Sequence, residues 1–72
     1  MTCTIEKVFD VKKNIVAFFD DNIVPYVKKI GRTKLGEVEI VASENGRSQA
    51  FSAIINTKIP KEKLEGLTIN FN

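Results

Sequence analysis

The sequence predicts a small α+β domain with the order β-α-β-β-β, in which one amphipathic helix packs on one face of a mostly antiparallel sheet. Three observations predict it. Apolar residues recur at helical spacing between Val11 and Ile30, an Asn45-Gly46 pair sits between two alternating segments, and Leu67, Ile69 and Phe71 alternate with polar residues. At 72 residues the chain is expected to form a single domain spanning 1–72.

Thr2 to Phe9 is rich in β-branched and aromatic residues and reads as a strand. A helical alternative comes from Ile5 and Val8, which sit three apart. Asp10 then suits a helix N-cap, because its carboxylate can accept from the free N–H groups that follow. Val11, Ile15, Phe18, Phe19, Asn22, Tyr26 and Ile30 fall on one helical stripe. Lys28 and Lys29 would complement the dipole of the last turn, and Gly31 would close it. Pro25 implies a kink, or two short helices meeting near residues 22–25, because it removes a backbone donor and disfavours helical geometry at Val24.

Asn45-Gly46 is the favoured pair for a two-residue hairpin turn. Centred there, the hairpin pairs Ser43 with Ser48, Ala42 with Gln49, Ile40 with Phe51 and Val38 with Ala53. Its inner face carries Val38, Ile40, Ala42, Phe51, Ala53 and Ile55. Its outer face carries Glu37, Glu39, Val41, Ser43, Ser48, Ala50, Ser52, Ile54 and Asn56. Pro60 and Gly66 bracket one short turn, and a last strand follows from Leu67 to Phe71. The expected core is Phe9, Val11, Ile15, Phe19, Tyr26, Ile30, Val38, Ile40, Phe51, Ala53, Ile55, Leu67, Ile69 and Phe71.

Composition excludes several kinds of chemistry. The chain has no His and one Cys. Ser-His-Asp and Cys-His catalysis cannot be assembled within it, nor can a zinc site of the usual Cys/His type or an intrachain disulfide. No enzyme activity and no cofactor are expected. Cys3 reads as a small buried hydrophobe, since no neighbouring cation or helix start would lower its pKa. Without disulfides to support a thin core, the reducing cytoplasm is the expected location. The first residues mix acid and base, unlike a signal peptide. The longest apolar run, Ile15 to Phe19, is far too short for a membrane helix, so no membrane partner is expected.

The formal net charge is +2. Residues 1–36 hold seven bases and four acids, and residues 37–72 hold four bases and five acids, so the excess lies in the first half. It concentrates in Lys28, Lys29, Arg32 and Lys34, with Arg47 nearby at the hairpin tip. That basic patch is a candidate site for phosphate or an acidic partner, against the plainer reading of a solvated helix end. The second candidate is the outer sheet face, Glu37, Glu39, Val41, Ala50 and Ile54, where apolar area has a polar rim. Asp20-Asp21 and Glu37/Glu39 do not converge on a metal. Gly31 and Gly36 match the glycine spacing of a phosphate loop, but Glu37 stands where Lys is required.

The residues match no ribbon-helix-helix, zinc-finger, cold-shock, RNA-recognition or small protease-inhibitor pattern. The expected function is therefore a small non-enzymatic protein-binding module that occupies a protein surface, as viral host-takeover and anti-defence (anti-CRISPR-like) inhibitors do. The alternatives are a nucleic-acid-binding module using residues 28–34 and a structural or oligomerisation domain, with a homodimer through the outer face or an unpaired strand edge as one version.

Overall fold

A computed structural model of the chain describes residues 1–43 and 51–71. Six strands occur: β1 (Thr2–Val11), β2 (Asn14–Phe19), β3 (Ile30–Thr33), β4 (Gly36–Ser43), β5 (Ser52–Thr57) and β6 (Thr68–Asn70). They close into an antiparallel barrel in the order β1-β2-β5-β4-β3-β6. Strands β3, β4 and β5 follow one another around the wall, and β6 returns to lie beside β3, which is a Greek key. Single helical turns at Val24–Tyr26 and Lys61–Lys63 are the only helices among the described residues. None is long or apolar enough to cross a membrane.

The α+β expectation is thus overturned. The stretch 11–30 is not an amphipathic helix but the end of β1, all of β2 and the approach to β3. Each signal that suggested a helix has a second physical meaning. Asp10 is not an N-cap; it lies in β1 opposite Ile15. Lys12 takes the left-handed conformation (φ 58°), so the chain reverses over two residues and Val11 pairs with Asn14. The run Ile15 to Phe19 is β-branched or aromatic at four of its five positions, and it forms a strand with apolar residues on both faces. Pro25 sits at the start of a single turn, where its missing N–H costs nothing. Lys28 is left-handed (φ 71°), and Gly31 is an interior strand residue instead of a helix exit.

β1 is confirmed as a strand, and it holds a β-bulge. The register shifts between Ile5, opposite Phe19, and Lys7, opposite Phe18. The bulge lets Ile5 and Val8, three apart, both point into the barrel, where both are buried. The helix-like spacing is the imprint of that extra residue.

The β4–β5 hairpin forms, but in a different register. Val38 pairs with Thr57, Ile40 with Ile55, Ala42 with Ile54 and Ser43 with Ala53. Val38 and Ile40 thus meet partners four positions further along β5 than expected. Asn45-Gly46 lies outside the described residues, as do Ser48 and Gln49.

The core comprises Cys3, Ile5, Val8, Ala17, Phe19, Ile23, Val38, Ile40, Ala53, Ile55, Ile59, Leu64, Leu67, Ile69 and Phe71, with Ile15, Tyr26 and Val27 packed against it. The expected members Phe9, Val11, Ile30 and Phe51 are exposed. Helical spacing had put Val11 and Ile30 on one stripe, and strand alternation turns them outward, as it does Phe9. Tyr26 stacks on Phe71, ring centroids 4.3 Å apart. Gly31 faces inward at the β3–β6 seam, where a Cβ would stand 2.2 Å from Ile69 Cγ2. Among the described residues that seam holds a single strand pairing, Arg32 with Asn70.

Candidate protein-binding face

In a barrel this narrow the interior is filled, so the outer wall is what remains to meet other molecules. Alternation along β1, β2 and β5 sends Phe9, Val16, Phe18 and Ile54 outward, opposite in sense to Val8, Ala17 and Ala53. Strand pairing sets three of these outer positions side by side, with Ala42 as a fourth. Phe9 pairs with Val16, Val16 with Ile54 and Ile54 with Ala42, making a lateral apolar row across β1, β2, β5 and β4. Val16 is only 3% exposed although it points away from the core, because its outward neighbours cover it. Phe18 meets Phe9 edge to face, centroids 5.7 Å apart and planes at 88°, while Phe9 itself is 48% exposed. Ser52, opposite Phe18, is also buried.

A second bulge positions Val41. The register shifts between Ile40 and Ala42, so Ala42 turns outward beside Ile54, while Val41 borders a shallow depression with Ile54, Lys13 and Asn14. Val41 and Ile54 therefore do share an outer surface. Lys13 stands at one end of this face, and Lys7, opposite Phe18, at the other.

Glu37 and Glu39 lie on a different part of the wall. Glu37 pairs with Arg32, and Glu39 with Ile30 on one side and Asn56 on the other. They line a shallow groove with Ile30, Leu35 and Pro60. The outer-face candidates thus divide into two regions: Val41 and Ile54 on one, Glu37 and Glu39 on the other. Ala50 lies outside the described residues, as does Arg47.

The basic candidates do not sit at a helix end. Lys28 and Lys29 form the turn entering β3, held by Lys28 N–H donating to Ile40 O (2.6 Å) and Ile40 N–H donating to Lys29 O (2.9 Å). Lys34 is in the β3–β4 turn, and Arg32 is in β3. All four are exposed. Arg32 faces Glu37 across the ladder, so a carboxylate is built into the middle of the basic cluster.

Asp20 and Asp21 serve the turn after β2. Asp20 Oδ1 accepts from Thr4 N–H (2.8 Å) and Asp21 Oδ1 from Asn22 N–H (2.7 Å). Cys3 is buried, and burial pushes its thiol above its ordinary pKa, with Asp21 and Asp20 adding to the effect. Tyr26 is shifted upward as well, by burial first and then by Cys3 and Asp21.

Reasoning from sequence assigned Phe9 and Val11 to the core, put Phe18 on the apolar stripe of the expected helix, and gave Val16 no place. The available signal was the unbroken apolar run Ile15 to Phe19, since a strand apolar on both faces must be covered on both. No family model matches the chain, and neither do the curated proteins or solved structures with which it was compared.

Proposed function

We propose that this chain is a small non-enzymatic protein-binding module that occupies a partner's surface through the outer face of β1, β2, β5 and β4. The observation that carries this reading is the apolar row Phe9–Val16–Ile54–Ala42, widened by Phe18 and Val41 on a wall that needs none of them for the core. Lys7 and Lys13 at its ends favour a partner whose apolar surface is flanked by acids. Within this reading the protein works in the cytoplasm, where its single thiol stays reduced, as a surface-blocking inhibitor of the host-takeover or anti-defence type.

The test is capture from host lysate, with and without nuclease, by wild type and by the Val41→Ala/Ile54→Ala double variant. A protein should be retained by wild type through nuclease treatment and lost by the variant, whose circular dichroism and melting curve stay near wild type. Lys7→Glu should weaken the same complex. Retention that survives the double variant refutes the assignment of this face. Capture that disappears with nuclease would transfer the function to nucleic acid and to Lys28, Lys29, Arg32 and Lys34.

A further inference from the structure

The barrel is closed over only part of the length of β1. Thr2, Cys3 and Thr4 pair with β6, and Ile5 exchanges hydrogen bonds with Leu67 O and Gly66 N–H. Beyond Ile5 the chain on that side turns away through Lys61–Gly66, and among the described residues no strand flanks β1 from Lys7 to Val11 except β2. The direction of the main-chain groups not used by β2 follows from the ladder. In the two-residue hairpin Val11 and Asn14 form a hydrogen-bonded pair, so Phe9 and Lys7 also face β2. Val8 and Asp10 face the opening. Val8 N–H points there and is held by Glu65 Oε2 at 3.1 Å. Asp10 and Lys61 form an ion pair at 2.5 Å across the same gap, half exposed on both sides. A small depression lined by Val8, Lys61, Glu62 and Glu65 marks the site. One carboxylate cap and one solvated ion pair guard an edge that could template another strand.

We infer that this open edge, Val8 to Val11, pairs antiparallel with the same edge of a second copy of the chain. The occupant follows from self-complementarity. A two-fold axis at Phe9 sets Val8 of one copy against Asp10 of the other, and both residues present their main-chain groups to the opening, as a hydrogen-bonded pair requires. The same axis sets Phe9 beside Phe9, so the apolar row that stops at β1 continues into the row of the second copy. Glu65 competes with the second copy for Val8 N–H, which makes it a brake on pairing. The contact is short, well under the area of a standard stable interface, so association is concentration-dependent. This inference goes beyond the protein-binding reading, since the edge can join copies whether or not the outer face holds another protein.

Sedimentation equilibrium up to about 1 mM tests it, a ceiling set by the weakest association that protein concentration can populate. The average mass should climb toward twice the monomer. Asp10→Pro removes the edge donor without touching the β2 ladder, but also the carboxylate that pairs with Lys61; relative to Asp10→Ala, which loses the ion pair alone, it should weaken association about 10-fold or more, since each dimer loses two hydrogen bonds. Glu65→Ala removes the competitor and should tighten association about 3-fold or more. In wild type, the Asp10 amide should exchange more slowly with solvent as concentration rises, while the Phe9 amide stays unchanged. That last measurement holds even where a variant folds poorly. A strict monomer at 1 mM overturns the inference, as does a dimer indifferent to Asp10→Pro and Glu65→Ala or one that leaves the Asp10 amide unprotected. Loss of lysate capture in Val41→Ala/Ile54→Ala bears on the outer face alone and leaves this result standing.

Discussion

Adding one methyl group at Gly31 tests whether the β3–β6 seam is packed as described. A Cβ there would stand 2.2 Å from Ile69 Cγ2 and 2.8 and 2.9 Å from two carbons of the Phe71 ring. Carbon atoms rest about 3.5–4.0 Å apart, so the nearest contact falls short by more than 1 Å. Neither neighbour retreats easily. Ile69 is fully buried, and Phe71 is stacked on Tyr26. Overpacking of this kind costs about 1–3 kcal/mol or more. Against it stands the gain from replacing Gly in a strand, roughly 0.5–1 kcal/mol. Gly31→Ala should therefore destabilise by about 2 kcal/mol, read as a lower urea midpoint with the slope unchanged. The partner change identifies the cause. Ile69→Leu roughly conserves volume but removes Cγ2, so the cost of Gly31→Ala in that background should fall by about half, with the Phe71 ring still in the way. A Gly31→Ala variant within about 0.5 kcal/mol of wild type would refute the argument, and so would a cost that Ile69→Leu leaves unchanged.

Two further outcomes follow from local geometry. Lys12, alone of the two turn residues, holds a positive φ that a Cβ-bearing residue adopts at a cost of about 1–2 kcal/mol, so Lys12→Gly should raise the melting temperature by a few degrees without altering the fold; an unchanged or lower melting temperature would show that the turn carries no such strain. Cys3 should react with a thiol reagent far more slowly in the native protein than in urea. Because its folded pKa is raised, its contribution to stability is complete below the unfolded value near 9.0 and is lost as pH rises through the folded one, so wild type should lose more stability than Cys3→Ala above about pH 9. Equal pH profiles for the two would contradict the burial of the thiol.

How much of this was legible beforehand depended on whether a residue pattern had one physical meaning or two. Leu67, Ile69 and Phe71 alternate cleanly, and all three are buried. Thr2 to Phe9 was recognisable as a strand from its β-branched content. Val38, Ile40, Ala53 and Ile55 face inward as their alternation requires, even though the pairing between them is displaced. Parity along a strand is local, whereas register depends on where the loop ends, and Asn45-Gly46 does not determine that alone. The larger error lay in residues 11–30. Apolar positions four apart fit a helix, yet Ile15 and Phe19 share a strand face equally well. What should have decided between them was the uninterrupted run and its β-branched, aromatic content. Once those residues became β2, Phe9, Val16 and Phe18 moved to the outer wall, and the candidate face grew from Val41 and Ile54 into a four-strand row. The open edge of β1 had no trace in the sequence, because it arises from the early departure of the chain at Gly66, which only the assembled barrel reveals.

The pairing of the first strand with the last has a consequence for how the chain reaches its fold. Thr4 and Thr68 bond side chain to side chain although 64 positions separate them, and Phe71 N–H donates to Met1 O at 2.8 Å. The β1–β2 and β3–β4 hairpins can form from neighbouring residues on their own. The wall cannot close until β6 arrives, and until then the inward face of β1, with Cys3, Ile5 and Val8, lies open along one side. Closing so long a loop costs entropy that no local contact offsets, so folding should be limited by this last step, in the millisecond-to-second range of β-barrels instead of the microseconds of helical domains. On a ribosome, the hydrophobic interior would stay unsealed until residues 67–71 had emerged.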